Sequence, residues 1–231
     1  MSKFILITLV SFLNAVAFAQ DKSKNSTTPT YGISGEAQIL SHFLEKGISY
    51  SDGNPAMNAS FLYNFGTQAR IGFWGSNISN VNAQDDNFWF KILAEVLVDF
   101  SKTTNAKFFF SDNRFYKSNQ RNGQIAGVRV DTKSYFYGFE WMSNLEGSDS
   151  NAEYFLLGRL YNFRKSMKYG GHIGYTSSHG NIQSFFDLKL LGQYIISDNS
   201  NAEIGITYNS NGSQFGKRGD PAYYIGLKLS Y

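Results

Sequence analysis

The chain has no cysteine. That excludes disulfides, thiol nucleophiles, thiolate metal ligands and a lipid anchor on an N-terminal cysteine. Proline is nearly absent, at 3 of 231 residues. Charge is scarce as well: 17% of residues are charged, against about 25% in ordinary soluble domains. The formal net charge of +3 is too small to argue for a nucleic-acid partner. No apolar run reaches the ~20 residues that a membrane-spanning helix needs, and mean hydropathy is −0.31, so a bundle of membrane helices is excluded. No glycine-rich phosphate loop and no metal-spaced histidine pair occurs, and the expected cofactor and metal complement is therefore none. What the chain has in quantity is aromatics, 17% with 21 Phe and 15 Tyr, and 22 glycines. That mixture favours strands and turns.

The start reads as an export signal. Lys3 is followed by the apolar run 4–13 and by Ala17-Phe18-Ala19, a small-x-small cleavage pattern. Residues 1–19 are assigned to a signal peptide and the polar 20–32 to a flexible lead-in, leaving 33–231 for the folded part. An exported chain without disulfides suits the envelope of a Gram-negative bacterium.

The stretch KILAEVLVDF (91–100) fits a strand or an amphipathic helix equally well. Other segments break the tie. AYYIGLKLSY (222–231), AEIGITY (202–208) and ASFLYNF (59–65) alternate in twos, and the first two carry interior glycine and β-branched residues, poor helix material. The same rule yields twelve strands, near 33–46, 56–65, 68–76, 88–100, 105–115, 123–131, 133–142, 151–162, 168–176, 183–195, 201–208 and 222–231. Short turns and longer loops alternate between them. The expected fold is all-β: a single closed antiparallel up-and-down transmembrane β-barrel of about twelve strands.

Three features turn the apolar face outward. Aromatics mark its strand ends: Phe88, Phe100, Tyr135, Trp141, Tyr154, Tyr194, Tyr208, Tyr223 and Tyr231. Twelve strands enclose more space than side chains of a small barrel fill. The opposite face carries small and charged residues. A lipid-facing sheet has no water to satisfy an edge, so it must close. The expected lumen face comprises Glu36, Arg70, Lys91, Glu95, Asp99, Lys107, Arg129, Asp131, Glu140, Glu153, Arg159, His172, Asp187, Lys189, Glu203 and Lys228. Seven basic and eight acidic groups nearly cancel, and weak ion selectivity follows. A narrow bore leaves room for the 20–32 segment or the 209–221 loop to act as a partial plug.

The stretch 47–80 resembles the bacterial family of TorF-type porins (Gcw_chp). The matching elements are Gly47-Ile48-Ser49, Ser51-Asp52-Gly53, Pro55-Ala56 and Gly72-Phe73-Trp74-Gly75-Ser76-Asn77. The family carries Arg before its Gly-Ile-Ser element, where this chain has Lys46, which cannot make a bidentate contact. The resemblance implies an outer-membrane barrel with channel activity and no defined substrate. A similar likeness of the last strand implies that Tyr223, Ile225, Leu227, Leu229 and Tyr231 form the insertion signal read by the barrel-assembly machinery.

The expected function is passive diffusion of small hydrophilic solutes across the outer membrane, among its lipids and lipopolysaccharide, with no catalytic step. Two other classes remain. A lipid hydrolase would use Ser210 beside Asn211-Gly212, but Tyr208 stands where the activating histidine would be, and His42, His172 and His179 lie elsewhere. An adhesive barrel would use Arg218-Gly219-Asp220, which also reads as plain turn chemistry. Asp52 and the Asp85-Asp86 pair are too few oxygens for a calcium site.

Overall fold

A computed structural model describes residues 31–79, 86–117 and 119–231. The signal peptide, nearly all of the lead-in, and Asp85 fall outside the described residues. Twelve long antiparallel strands form a closed barrel. In chain order they are β1 (Gly32–Leu40), β4 (Ala56–Phe65), β5 (Ala69–Asn77), β6 (Phe88–Ser101), β7 (Thr104–Phe115), β8 (Gly123–Asp131), β9 (Tyr135–Met142), β10 (Ala152–Arg164), β11 (Met167–Ser178), β12 (Phe185–Ser197), β13 (Ser200–Asn209) and β14 (Ala222–Ser230). Two short strands, β2 (Leu44–Glu45) and β3 (Ile48–Ser49), make a separate hairpin in the first long connection.

Each barrel strand pairs with its sequence neighbour, and β1 closes the ring against β14 from Glu36↔Ser230 to Leu40↔Gly226. Beyond that register, Gly35 and Tyr231 exchange backbone hydrogen bonds of 3.1 and 3.0 Å. No edge is left to pair with water or with another chain. The tight turns, such as 102–103 and 198–199, all lie on one rim, and the longer loops on the other. The start of β1 and the end of β14 are on the tight rim.

The ambiguous segment 91–100 is strand, within β6. Its partners show the phase: Ile92 lies opposite Phe73 and Ala94 opposite Ile71 on the outer wall, while Glu95 lies opposite Arg70 inside. The outer wall stays apolar around the barrel. Ile206, Leu190 and Ile225 are 50%, 52% and 57% exposed there. A continuous apolar belt of this kind is stable only against acyl chains.

Two sequence expectations are corrected. The first strand ends at Leu40, not at residue 46. Ser41 still bonds the rim, its N–H donating to Ile225 O at 2.8 Å, but the chain then turns inward. The second correction concerns β10, whose phase is opposite to the expected one. Phe155 and Leu157 stand on the outer wall, 50% and 49% exposed, whereas Tyr154 is buried inside at 4%. Glu153 pairs with Trp141, and Arg159 with Tyr135, both outer-wall residues. Glu153 and Arg159 therefore do not line the lumen, and Tyr154 is not part of the outer aromatic girdle.

Candidate functional site: the lumen and its inward hairpin

The barrel interior differs between its two halves. Toward the long-loop rim it is filled by the segment 41–55, which enters the bore as the β2–β3 hairpin. Lys46 and Gly47 at its tip have φ of 52° and 69°, the left-handed pair of a tight two-residue hairpin turn. Glycine at 47 is also a requirement of space, because a Cβ there would lie 2.8 Å from the Tyr208 carbonyl oxygen. Phe43, Ile48 and Tyr50 of this segment join Leu40, Trp89, Phe115, Met142 and Phe185 in an apolar cluster inside the barrel. Tyr50 packs on Trp89 with ring centroids 4.8 Å apart, and Trp89 stacks on Phe115 at 5.1 Å.

Two polar clusters fix the hairpin. At the tip, Lys46 Nζ is 2.8 Å from Glu140 and 4.8 Å from the centre of the Tyr154 ring. Lys91 Nζ reaches Glu45 at 3.8 Å and lies 4.0 Å over the Trp89 ring. Burial disfavours the charge on Lys46, but Glu140 and Glu45 outweigh it and raise its pKa. Burial likewise opposes ionisation of Glu45, and Lys91 and Lys46 bring its pKa below the ordinary value.

Nearer the rim, Glu146 takes Arg121 at 2.8 Å, Arg218 at 2.5 Å and the Tyr50 hydroxyl. All three charged side chains of this cluster are less than 10% exposed. Arg218 Nε also donates to Ser49 O at 2.9 Å. Burial pushes the Glu146 carboxyl up, but the two guanidiniums and the bonds from Tyr50 and Arg218 overcome it and hold its pKa at about 2. Burial raises the Tyr50 pKa well above its ordinary value, and Glu146 beside it adds to the rise.

The 3-10 segment Gly212–Gly219 covers the hairpin, with Phe215 against Phe185 at 5.4 Å. Thus the 209–221 loop does fold inward, but the body of the plug is 41–55. Arg218 of the Arg-Gly-Asp tripeptide is 5% exposed and fully engaged, so it is not presented for adhesion. Ser210 Oγ accepts the Phe186 N–H at 2.9 Å. The three histidines bond Ser49, Asp187 and Glu153 instead.

Toward the tight rim the bore is polar. A cavity of ≈ 230 Å³ lies between Lys91, Glu95, Lys107, Arg129, Glu45 and Glu140. Glu95 joins Arg70 and, at 3.4 Å, Lys107. Arg129 pairs with Asp131 at 3.0 Å, Lys189 with Glu203 at 3.5 Å, Lys228 with Glu36 at 2.7 Å and His172 with Asp187 at 3.2 Å. Asp99 lies on the inward side of β6 at the tight rim. Of the sixteen residues expected to line the lumen, fourteen face it; Glu153 and Arg159 do not. Losing one group of each sign leaves the charge balance unchanged. Sequence reasoning missed Arg121, Glu146 and Arg218 because they sit outside the barrel strands, where no alternation assigns a side, and missed Glu45 because the strand expected over 33–46 puts it on the face opposite Glu36. The one signal available was Gly47-Ile48-Ser49, the hairpin tip itself.

A closed antiparallel barrel with an apolar outside and a charged bore is a transmembrane β-barrel. Among solved structures, the chain superposes on the KdgM porin with a TM-score of 0.57 at 10% identity, over 86% of this chain and 99% of that one. It superposes on the NanC porin with a TM-score of 0.57 at 9% identity, over 86% and 99%. At such low identity the likeness is one of fold: this is a porin-fold barrel. The chain matches no protein-family model and no curated protein, so the TorF-type resemblance rests on the quoted residues alone.

Proposed function

We propose that the protein is an outer-membrane channel for small hydrophilic solutes, entered from the tight rim through a charged vestibule and constricted at the other end by the 41–55 hairpin. The observation that carries the reading is the polar bore of ≈ 230 Å³ beneath the hairpin, inside a barrel whose outer wall is oily. A non-conducting structural or adhesive barrel has no need of an open interior lined by ion pairs. The porin fold supports it. One similar structure holds the KdgM porin with disordered oligogalacturonate. The present lumen pairs nearly every cation with a carboxylate, which suits solutes of low net charge better than a polyanion. On this reading the outward Tyr223, Ile225, Leu227, Leu229 and Tyr231 serve as the insertion signal for the assembly machinery, and the long-loop rim meets lipopolysaccharide.

Planar-bilayer recording tests the proposal with two proteins: the full mature chain, and a variant with residues 44–49 replaced by Gly-Gly. The expected result is small discrete steps in the first and several-fold larger steps in the second. If neither gives discrete steps while both remain folded barrels, the channel reading is wrong.

A further inference from the structure

Within the barrel strands, four charged side chains project from the outer wall: Asp112 and Arg114 on β7, and Glu153 and Arg159 on β10. (Arg164, the last residue of β10, lies beyond a register shift and belongs to the rim.) Charge on a lipid-facing wall is costly and calls for a counter-charge. Asp112 and Arg114 answer each other at 2.8 Å. Glu153 has His179 at 2.6 Å. Among the described residues Arg159 has no acidic partner.

Its surroundings are built rather than incidental. The guanidinium carbon lies 4.4 Å from the centre of the Tyr135 ring and 4.0 Å from that of Tyr161. Nη1 bonds the Tyr135 hydroxyl at 2.5 Å. Nε is buried without a partner. Tyr161 in turn stacks on Tyr169 at 5.3 Å. Tyr135 opens β9, so the site lies just above the tight rim, where exposed Lys133, Arg164 and Lys165 add positive charge. A counter-charge supplied by the surroundings, at the depth of lipid headgroups, would complete the site on a face otherwise apolar. A planar guanidinium clamped between rings suits a phosphodiester oxygen.

We propose that Arg159, with Tyr135 and Tyr161, forms a binding site for the phosphodiester of a phospholipid in the leaflet at the tight rim. The inference needs the outer wall to face lipid; it does not need conductance, so a failed channel leaves it standing.

The test is native mass spectrometry of the folded full chain in detergent micelles, titrated with phosphatidylglycerol, with diacylglycerol of the same acyl chains, and with inorganic phosphate. The expected result is a retained phosphatidylglycerol adduct that weakens about tenfold in Arg159→Leu, with Arg114→Leu unchanged. Diacylglycerol should leave no adduct, and inorganic phosphate should not compete. Should Arg159→Leu fail to fold, Tyr161→Leu carries the same expectation. Equal binding by the wild type and these variants overturns the site. A diacylglycerol adduct as stable as phosphatidylglycerol reduces it to greasy contact, and competition by inorganic phosphate makes it a free-anion site. Either result overturns the proposal, as does dimerisation of the wild type that Arg159→Leu abolishes.

Discussion

At the scale of single residues, the hairpin is held by charges that cannot reach water. Glu146 is the hinge of this arrangement, since Arg121 and Arg218 both depend on it. Glu146→Gln removes the carboxylate that both buried guanidiniums share, leaving Arg121 only the electrostatic support of Asp86, and removing one partner of such a cluster costs roughly 3–5 kcal/mol. The expected outcome is a lower unfolding temperature in detergent, together with larger and noisier conductance. Protonation should imitate the mutation. Because the folded carboxyl has its pKa depressed from 4.5 to about 2, its stabilising effect is complete above the unfolded value and is lost as pH falls through that window. Wild type should therefore hold its small conductance at pH 5 and lose the constriction as pH 2 is approached, whereas Glu146→Gln should be flat over the same range. Recording at graded pH on both proteins checks this. None of it was legible beforehand. Arg218 stands in the sequence as part of an adhesion tripeptide, and the reading changes only when Ser49 and Glu146, 169 and 72 residues away in the chain, are seen beside it.

At the scale of the strand, eleven of twelve elements were legible in their phase because lipid on one side and water on the other impose the same alternation on each. β10 shows the limit of that rule. Both of its alternating sets are apolar: Tyr154, Leu156 and Leu160 against Phe155, Leu157 and Tyr161. Glu153 and Arg159 tip the sequence reading toward the wrong face. The deciding contacts are made by neighbouring strands. On β9, Phe136 lies over Gly158, and a Cβ at 158 would meet its Cζ at 2.0 Å; on β11, Gly174 leaves the room that the Tyr154 ring takes. Lumen aromatics are thus laid flat on glycines across the strand boundary, a relation between elements that no single strand displays. Gly158→Ala should lower the unfolding temperature, and Phe136→Leu added to it should recover part of the loss. A double-mutant cycle by thermal unfolding is expected to give a coupling of about 0.5–3 kcal/mol; simple additivity would show that the ring and the glycine do not depend on each other.

The whole molecule joins two kinds of interior within one closed sheet. Its outer half is packed like a soluble domain, with Phe43, Tyr50, Trp89 and Phe115 around the hairpin; its inner half is a vestibule of paired charges. Strand count, closure and the oily exterior were readable because they repeat along the chain, whereas the filling was not, because it is made once, by segments that alternate with nothing. The vestibule's electrical character follows from pairing rather than from composition. Lys107 faces Arg129 directly across β7 and β8, an unfavourable like-charge neighbour relation, relieved by Glu95 and Asp131 on either side. With both relieved, the pore should discriminate weakly between cations and anions, and its reversal potential in a salt gradient should lie close to zero. Lys107→Glu replaces one of the two cations that answer Glu95 with a second carboxylate, and so changes the local balance by two charges beside the ≈ 230 Å³ cavity. Cations should then permeate preferentially, with the reversal potential displaced toward the cation limit at about 0.1 M salt, where the screening length is about 10 Å. The displacement should shrink at about 1 M, where that length falls to about 3 Å and the added charge no longer spans the bore. A reversal potential indifferent to Lys107→Glu at both salt concentrations would mean that ions cross by another route than this vestibule.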